Sequence, residues 1–391
     1  GLKTLTIPGT VKRIGSDAFS YNKTLENVII EDGVEEIGNS AFYGCSSLKS
    51  VMMADSVKLL GTEAFRQCTS LEDIDLSKNI TKIGGYTFSG CRKLYTLDLP
   101  EKLSIIGDNA FGECYLLNDL KIPKDVVEIN LSAFFKCENL FNLTIDKSNN
   151  SFVVINNILY TADKKQIITL LASNKETKDL TIEEGVEKIG SGLFSVCKKI
   201  ETINFPSTLK NLVGESFSGI ETLKNITIPS TNEKYKVVDN MILSKNGTDF
   251  IYASPNREEI IVPEGVKNIG SACIHGSNIK SVKFENDVEK LEKGIVFRGC
   301  TNLQNISFGK NVSYINPCFK TWGGLSNNIT ITIDLENINY EIKDNYIVTK
   351  DGKKIITYIN HIKDANIPEG IEQIGDSAFQ NSNMETIKLP T

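Results

Sequence analysis

LENVIIEDGVEEIGNSAFYGCSS, residues 25–47, is followed directly by LKSVMMADSVKLLGTEAFRQCTS, residues 48–70, which repeats its apolar positions. The shared unit, written from Leu25, is L-x-x-V-x-I-x-x-x-V-x-x-I-G-x-x-A-F-x-x-C-x-x, with a period of 23 residues. Self-similarity at such a period is the signature of a repeat architecture. Twelve residues mark one column of this unit along the chain: Phe19, Phe42, Phe65, Phe88, Phe111, Phe134, Phe194, Phe217, Ile274, Phe297, Phe319 and Phe379.

Each repeat contains two kinds of apolar spacing. Val28 and Ile30 alternate with polar or exposed positions, which predicts a short strand with these two side chains facing inward. The residues that follow the glycine have helical spacing, i, i+1, i+4 and i+7, which predicts a short helical segment. Neither element can bury its apolar side alone, whereas stacked repeats can. The helical positions of the unit are Ala41, Phe42, Cys45 and Leu48.

Proline and glycine mark the ends of these elements. Proline has no N–H group and ends a strand without leaving a ladder donor unpaired. Eight of the ten prolines directly follow a predicted strand: Pro8, Pro100, Pro123, Pro206, Pro229, Pro263, Pro368 and Pro390. A glycine before the helical segment is expected to allow a sharp turn. These glycines are Gly15, Gly38, Gly61, Gly84 and Gly107.

The repeat pattern is interrupted three times by segments that resemble one another. Phe152, Tyr235 and Tyr340 begin β-rich runs with the same internal spacing. The pairs Asn246-Gly247 and Asp351-Gly352 lie between such runs and indicate tight hairpin turns. We therefore predict regular repeats over 1–145, and further repeats between and after three β-hairpin islands near 146–179, 229–259 and 334–364. All of them would form one solenoid domain, residues 1–391.

The unit LxxVxIPxxVxxIGxxAFxxC, joined to hairpins, closely resembles the BspA-type (treponemal-type) leucine-rich repeats of bacterial and some protist surface proteins. The resemblance covers essentially the whole chain. It implies an α/β leucine-rich-repeat solenoid, right-handed, in a secreted or surface-anchored protein that often serves adhesion to host matrix proteins or cells. The family has no catalytic motif to transfer. The chain departs from the motif at Cys273 and Ile274, at Cys318, and in the irregular stretch Pro317–Asn328.

Composition narrows the classes of partner. The 391 residues are 40% hydrophobic and carry a formal net charge of −6, with no long basic run. This balance argues against nucleic acid or an anionic membrane surface as the main partner. No apolar run is long enough to cross a bilayer, and GLKTLTIPGT lacks the features of a signal peptide. We expect any signal or anchor to lie outside this sequence.

Nine cysteines raise the question of thiol chemistry. Neighbouring thiols in a repeat column would lie too far apart for a good disulfide, and there is no local C-x2-C pair for zinc. We expect them to fill the core as small buried thiols. The two histidines, His275 and His361, suit no triad, since His275 and nearby Cys273 would point apart. Seven cysteines share one column: Cys45, Cys68, Cys91, Cys114, Cys137, Cys197 and Cys300. We predict no enzyme activity, cofactor or metal.

Four outward carboxylates are candidates for a cation site or for contact with a basic partner. The alternative is that they solvate an exposed sheet, which we favour. They are expected to share one face across successive repeats: Asp73, Asp75, Asp98 and Asp119.

Exposed apolar residues on the same face suggest a contact spot. Ile29 and Met52 lie in neighbouring repeats, and Tyr95 and Phe141 lie where strands begin. Isolated surface hydrophobes are an equally good explanation. Tyrosines of the hairpin islands could be displayed for binding or could seal the solenoid edge: Tyr160, Tyr252, Tyr346 and Tyr358.

Together these features predict a non-enzymatic protein-binding or adhesion module, extracellular or on a cell surface. Its exposed strand face and hairpin islands would bind a host matrix or cell-surface protein. One alternative is a structural stalk that displays another domain. Another is a carbohydrate-binding module attached to an enzyme, which requires aromatics and carboxylates to converge in a groove.

Overall fold

The computed structural model describes residues 1–276, 278–291, 296–315, 329–359, 363–379, 382 and 384–390. The predicted irregular repeat Pro317–Asn328, with Cys318 and Phe319, lies outside the described residues, as does His361. The chain divides into two compact units. Unit 1 comprises Gly1–Thr177 with Gly185–Lys198, and unit 2 comprises Lys178–Glu184 with Lys199–Thr391.

In unit 1 most coils begin with a short strand that pairs in parallel with the strand of a neighbouring coil. Leu5, Val28 and Val51 lie side by side in this ladder, so the register equals the 23-residue repeat. Val28 and Ile30 are 1% and 2% exposed, which confirms that they face inward. We call these the face strands: Thr4–Ile7, Asn27–Ile30, Ser50–Met53, Asp73–Asp75, Asp119–Ile122 and Asn142–Ile145.

A second, two-residue strand follows in each coil and was not predicted. Ile14, Ile37 and Leu60 pair in register in this second ladder, and all three side chains are buried. The isoleucine of the V-x-x-I-G motif is therefore a strand residue of the core. The second strands of unit 1 are Arg13–Ile14, Glu36–Ile37, Leu59–Leu60, Lys82–Ile83, Ile105–Ile106, Glu128–Ile129 and Lys188–Ile189.

The predicted helical segment is a series of turns in most coils. Ser40 and Gly44 have positive φ angles of 54° and 69°, a conformation that cannot continue a right-handed helix. The N–H groups of Ser40 and Phe42 instead donate to Thr62 and Ala64 of the next coil, at 2.9 and 2.8 Å. Among the described residues, helical character remains in three short 3-10 helices, Ala172–Glu176 and Leu193–Val196 in unit 1 and Gly214–Phe217 in unit 2.

The apolar stripe of this corner is nevertheless fully buried. Ala41, Phe42, Cys45 and Leu48 have no exposed surface. The phenylalanine rings stack almost in parallel along unit 1, and the rings of Phe42 and Phe65 lie 5.3 Å apart at an interplanar angle of 1°. Full burial of one such side chain contributes roughly 1.5–3 kcal/mol. The predicted leucine-rich-repeat solenoid is confirmed, with corners that are more turn than helix.

At Gly38, Gly61 and Gly107, the glycine before the corner is required by close approach, rather than by a sharp turn. A Cβ atom on Gly38 would lie 2.7 Å from the backbone nitrogen of Ser16 and 2.8 Å from the carbonyl carbon of Gly15. Real Cβ atoms do not come this close to backbone atoms of a neighbouring coil. A side chain at this position would therefore push adjacent coils apart.

Unit 2 uses the same coil. Its face strands are Asp179–Thr181, Thr202–Asn204, Asn225–Thr227, Glu259–Ile261, Ser281–Lys283, Asn305–Phe308, Thr330–Ile333, Asp364–Asn366 and Thr386–Lys388. Its second strands are Asn268–Ile269, Lys290–Leu291 and Gln373–Ile374. One further parallel pair lies at a corner, Ile274–His275 with Phe297–Arg298.

The three predicted islands are confirmed as antiparallel elements, and each contains three strands. Island 1 consists of Phe152–Ile155, Ile158–Thr161 and Gln166–Leu170, island 2 of Tyr235–Val238, Met241–Ser244 and Asp249–Ala253, and island 3 of Tyr340–Lys343, Tyr346–Thr349 and Lys354–Tyr358. The third strand of each island pairs in parallel with a following second strand. The islands thus continue the ladder of their own unit.

Candidate functional site

The outward side chains of the face strands form in-register columns across unit 1. We call this surface the strand face. Ile29 lies directly opposite Met52, and Met52 lies opposite Asp75. Ile29 is 37% exposed and Met52 is 58% exposed. Alternation along a strand explains this placement, since the residues on either side of Ile29 and of Met52 are buried in the core.

Along the edge of the strand face where the strands begin, side chains of alternating charge form a column, and they already pair with one another. The Glu26 carboxylate lies 2.9 Å from Lys3 and 2.7 Å from Lys49, in the coils before and after it. Hydrogen bonds from these two ammonium groups lower the pKa of Glu26 to about 2. In the same column Glu72 pairs with Lys93 at 2.8 Å. These residues therefore offer little unpaired charge to a partner.

The four predicted carboxylates are placed differently. Asp73, Asp75 and Asp98 are exposed and Asp119 is half-buried, and none of them forms an ion pair among the described residues of unit 1. The nearby Lys121 pairs with Asp146 at 3.0 Å. The centre of the strand face therefore carries an excess of negative charge, next to exposed apolar side chains.

The face ladder is interrupted within this acidic region. The strands from Thr4–Ile7 to Asp73–Asp75 form one sheet, and Asp119–Ile122 with Asn142–Ile145 forms another. The intervening coil contributes an isolated bridge, Thr96 with Asp119, and Asp98 lies outside any strand. A regular ladder would set Asp98 directly beside Asp75, and like charges opposite one another destabilise strand pairing. The structure thus brings Asp73 and Asp75 into the same sheet as Met52 and leaves Asp98 outside it.

The two predicted aromatics lie further along the strand face. Tyr95 and Phe141 are 54% and 41% exposed. The Lys175 ammonium group lies 5.3 Å from the centre of the Phe141 ring, a cation–π distance. Phe141 is therefore partly covered within unit 1, whereas Ile29 and Met52 adjoin each other. The sequence-predicted contact spot is thus two adjacent aliphatic or thioether side chains, with the aromatics in other coils.

The described residues bring together no metal-ligating cluster, and their thiols are buried. Across the described part of the chain, no group of three or more His, Cys, Asp or Glu side chains could hold a metal ion. The eight described cysteines are free thiols and all are buried. Burial raises the pKa of Cys45 to about 11 and that of Cys197 to about 12. His275 and Cys273 are also buried, at 4% and 0% exposure.

The island tyrosines belong to the core rather than to displayed loops. Tyr160, Tyr252, Tyr346 and Tyr358 are all no more than 5% exposed, so sealing is the correct alternative. Sequence reasoning instead missed Leu335 and Ile338, which are 94% and 80% exposed at the start of island 3. Alignment of the three islands would have found them, because islands 1 and 2 have polar residues at these two positions.

No helix in the described residues is long and apolar enough to cross a membrane. The family model "BspA type Leucine rich repeat region" matches residues 1–116, 60–169, 165–246, 247–346 and 334–391. No curated protein matches the chain.

Two solved structures are similar over most of the chain. A leucine rich cell surface protein from Faecalibacterium prausnitzii A2-165 is 26% identical with a TM-score of 0.55, and the match covers 78% of this chain and 87% of that one. A leucine-rich repeat protein from Eubacterium ventriosum ATCC 27560 is 20% identical with a TM-score of 0.50, over 99% and 90% of the two chains, and this likeness supports the fold alone. Because the family model matches along essentially the whole chain, the chain belongs to the BspA-type leucine-rich repeat family.

Proposed function

We propose that this chain is a non-enzymatic protein-binding or adhesion module of a cell-surface or secreted protein. Its family and the similar cell-surface protein of Faecalibacterium prausnitzii support this setting. Leucine-rich solenoids present extended, preformed surfaces, and such surfaces can bind a partner with little rearrangement.

The observation that carries the proposal is the row Ile29, Met52 and Asp75 on the strand face. Two adjacent exposed apolar side chains gain free energy when a partner covers them. The unpaired carboxylates of Asp73 and Asp75 beside them favour a partner with basic groups around an apolar contact. The matching partner is a host matrix or cell-surface protein with such a patch.

The carbohydrate-binding alternative lacks its required geometry at the cleft described in unit 2. That cleft has a volume of about 700 Å³ and is lined in part by carboxylates. Its aromatic residues, Phe284 and Phe308, are 1% and 2% exposed, so neither can stack against a sugar ring.

The proposal is tested by surface plasmon resonance against a panel of purified extracellular-matrix proteins. Ile29→Ala, Met52→Ala and Tyr95→Ala should each weaken binding by about tenfold, the effect of losing roughly 1.4 kcal/mol, and should leave the melting temperature unchanged. Asp75→Asn should mainly lower the association rate at low salt.

Thr144→Ala is the matched control, because Thr144 is an exposed outward residue at the same repeat position as Ile29 and Met52. This variant should bind as the native protein does. Unchanged affinity in all three apolar variants would refute the contact spot, and absence of binding to any matrix protein or host cell would favour a structural stalk.

A further inference from the structure

A second exposed feature lies in unit 2, beside island 3. The first loop of island 3, residues 334–339, borders the cleft of about 700 Å³. Ser307, Thr332 and Asp334 contribute polar groups to its lining, and Leu335 contributes an almost fully exposed aliphatic side chain. Ile338, four-fifths exposed, follows in the same loop.

The other two islands show that folding does not require these apolar residues. Asn149, Asn232 and Asn337 occupy the same position in the three islands. Counted from this asparagine, Leu335 corresponds to Lys147 and Ser230, and Ile338 corresponds to Asn150 and Glu233. Large aliphatic side chains at 94% and 80% exposure gain nothing from the core of their own chain. Their presence in one island of three indicates a surface that another molecule covers.

The loop is held in place before any partner binds. The Asn337 side chain donates to the Gly309 and Val312 carbonyls at 3.0 and 3.1 Å. The Lys350 ammonium donates to the Leu335 carbonyl at 3.5 Å, as Lys245 does to the Ser230 carbonyl at 2.7 Å in island 2. Because the backbone is already fixed, binding would cost little ordering entropy.

Charge around the cleft favours a basic partner. Glu285 is paired with Lys283 at 2.9 Å, and Glu336 with Lys310 at 3.5 Å. Asp334 has no ion pair among the described residues, although one of its oxygens accepts the Glu336 N–H at 2.8 Å. One carboxylate thus remains unneutralised next to Leu335.

We propose that the cleft and the Leu335–Ile338 loop bind an extended segment of a protein partner that carries a lysine or arginine next to a large apolar residue. The apolar residue covers Leu335 and Ile338, and the cation pairs with Asp334. This inference deepens the proposed binding function and rests on it in taking the partner to be a protein. It needs no contribution from the strand face of unit 1.

A phage-displayed library of random dodecapeptides, panned on the full chain, tests the inference. Enriched peptides should carry lysine or arginine beside a large apolar residue. As synthetic peptides, measured by fluorescence anisotropy, they should bind the Leu335→Ser/Ile338→Asn double variant at least about tenfold more weakly. Asp334→Asn, which keeps the oxygen that caps the loop, should weaken them by roughly threefold to tenfold.

Glu233→Asn is the matched control, because it puts asparagine, the residue introduced at position 338, at the equivalent position of island 2 without removing an apolar side chain. It should bind these peptides as the native chain does, and so should Met52→Ala on the strand face. The inference is overturned if no peptide is enriched, if enriched peptides are acidic, or if they bind the double variant with native affinity. Any of these results leaves matrix binding through the strand face, and hence the proposed function, to be judged by its own variants.

Discussion

The repeated cysteine is a backbone-bonding core residue. The sulfur atoms of Cys45, Cys68 and Cys91 lie 3.1, 3.1 and 3.2 Å from the carbonyl oxygens of phenylalanines in the preceding coil. Each thiol donates to one of these carbonyl oxygens at a corner whose apolar side chains are buried. Desolvation raises the pKa of Cys91 well above its usual value, so the thiol stays protonated and can donate.

Replacing Cys91 with alanine should therefore destabilise unit 1. The change removes the donor to the Phe65 carbonyl and leaves a small void, at a cost of about 1–3 kcal/mol. Urea unfolding followed by circular dichroism measures the loss. Asn22→Ala is the control, because Asn22 occupies the same column in the first coil but is half-buried. A loss for Cys91→Ala no larger than for the control would contradict a structural role for the thiol.

Glu26 makes the stability of the strand face depend on pH. Its pKa in the folded protein is about 2, because hydrogen bonds from Lys49 and Lys3 favour the carboxylate. An unfolded glutamate titrates near pH 4.3, at about the model-peptide value. The folded value is the lower one, so the stabilisation is present above the unfolded pKa and is lost as the pH falls toward the folded pKa.

Glu26→Gln should accordingly lower the melting temperature at pH 6 and have a much smaller effect at pH 2. Added salt should reduce the difference at pH 6, because the three side chains are partly solvated. Thermal melts at both pH values, with and without salt, provide the measurement. A variant whose melting temperature differs from the native value equally at both pH values would show that the ion pairs contribute nothing.

At the scale of the element, one buried asparagine fixes each island to the preceding coil. In island 2, Asn232 donates to the Ser207 and Leu209 carbonyls, both at 3.0 Å. Its oxygen accepts the N–H groups of Lys234 and Tyr235 at 2.8 and 2.7 Å. The side chain thus closes one coil and starts the first island strand, a task that no apolar residue can perform.

Asn232→Ala should cost about 2–4 kcal/mol, since it leaves several buried backbone groups without a partner. The cost should appear in chemical unfolding as a lower midpoint for unit 2. Glu233→Ala is the control, because the neighbouring glutamate is exposed. Equal midpoints for the two variants would exclude the asparagine as an anchor.

Repetition made most of the fold predictable from the sequence. The backbone conformation of the corners could not be predicted in the same way. Columns such as Val28 and Phe42 follow directly from the 23-residue period, because the side chains that recur are those that stacked coils bury. The corner was predicted as helix because turns can give the same apolar spacing when residues such as Ser40 adopt positive φ. No propensity rule assigns this conformation to a serine.

The candidate site was less predictable for physical reasons. Exposure of Ile29 and Met52 follows from alternation along the strand, and the structure places both where the sequence put them. The ladder break at Asp98 involves two coils whose carboxylates a regular register would place side by side, and a single repeat does not reveal this. The binding roles of the predicted contact residues stay predictions. These residues are Ile29, Met52, Asp73, Asp75, Tyr95, Asp98, Asp119 and Phe141.

At the scale of the whole molecule, the repeat pattern predicts one domain over residues 1–391. Stacked repeats gain stability from each neighbour, and nearest-neighbour coupling makes a solenoid unfold cooperatively. The chain nevertheless divides into two compact units. Whether these two units unfold in one transition or in two can be measured.

Calorimetry of the native chain should then show a single transition. Cys91→Ala in unit 1 and Asn232→Ala in unit 2 test more directly whether the two units unfold together. Each variant destabilises one unit, because each removes a different local hydrogen bond. In one cooperative domain either variant lowers the melting temperature of the whole transition. If instead each variant splits the trace and shifts one peak while the other stays at its native temperature, the chain unfolds as two domains and the single-solenoid prediction is wrong.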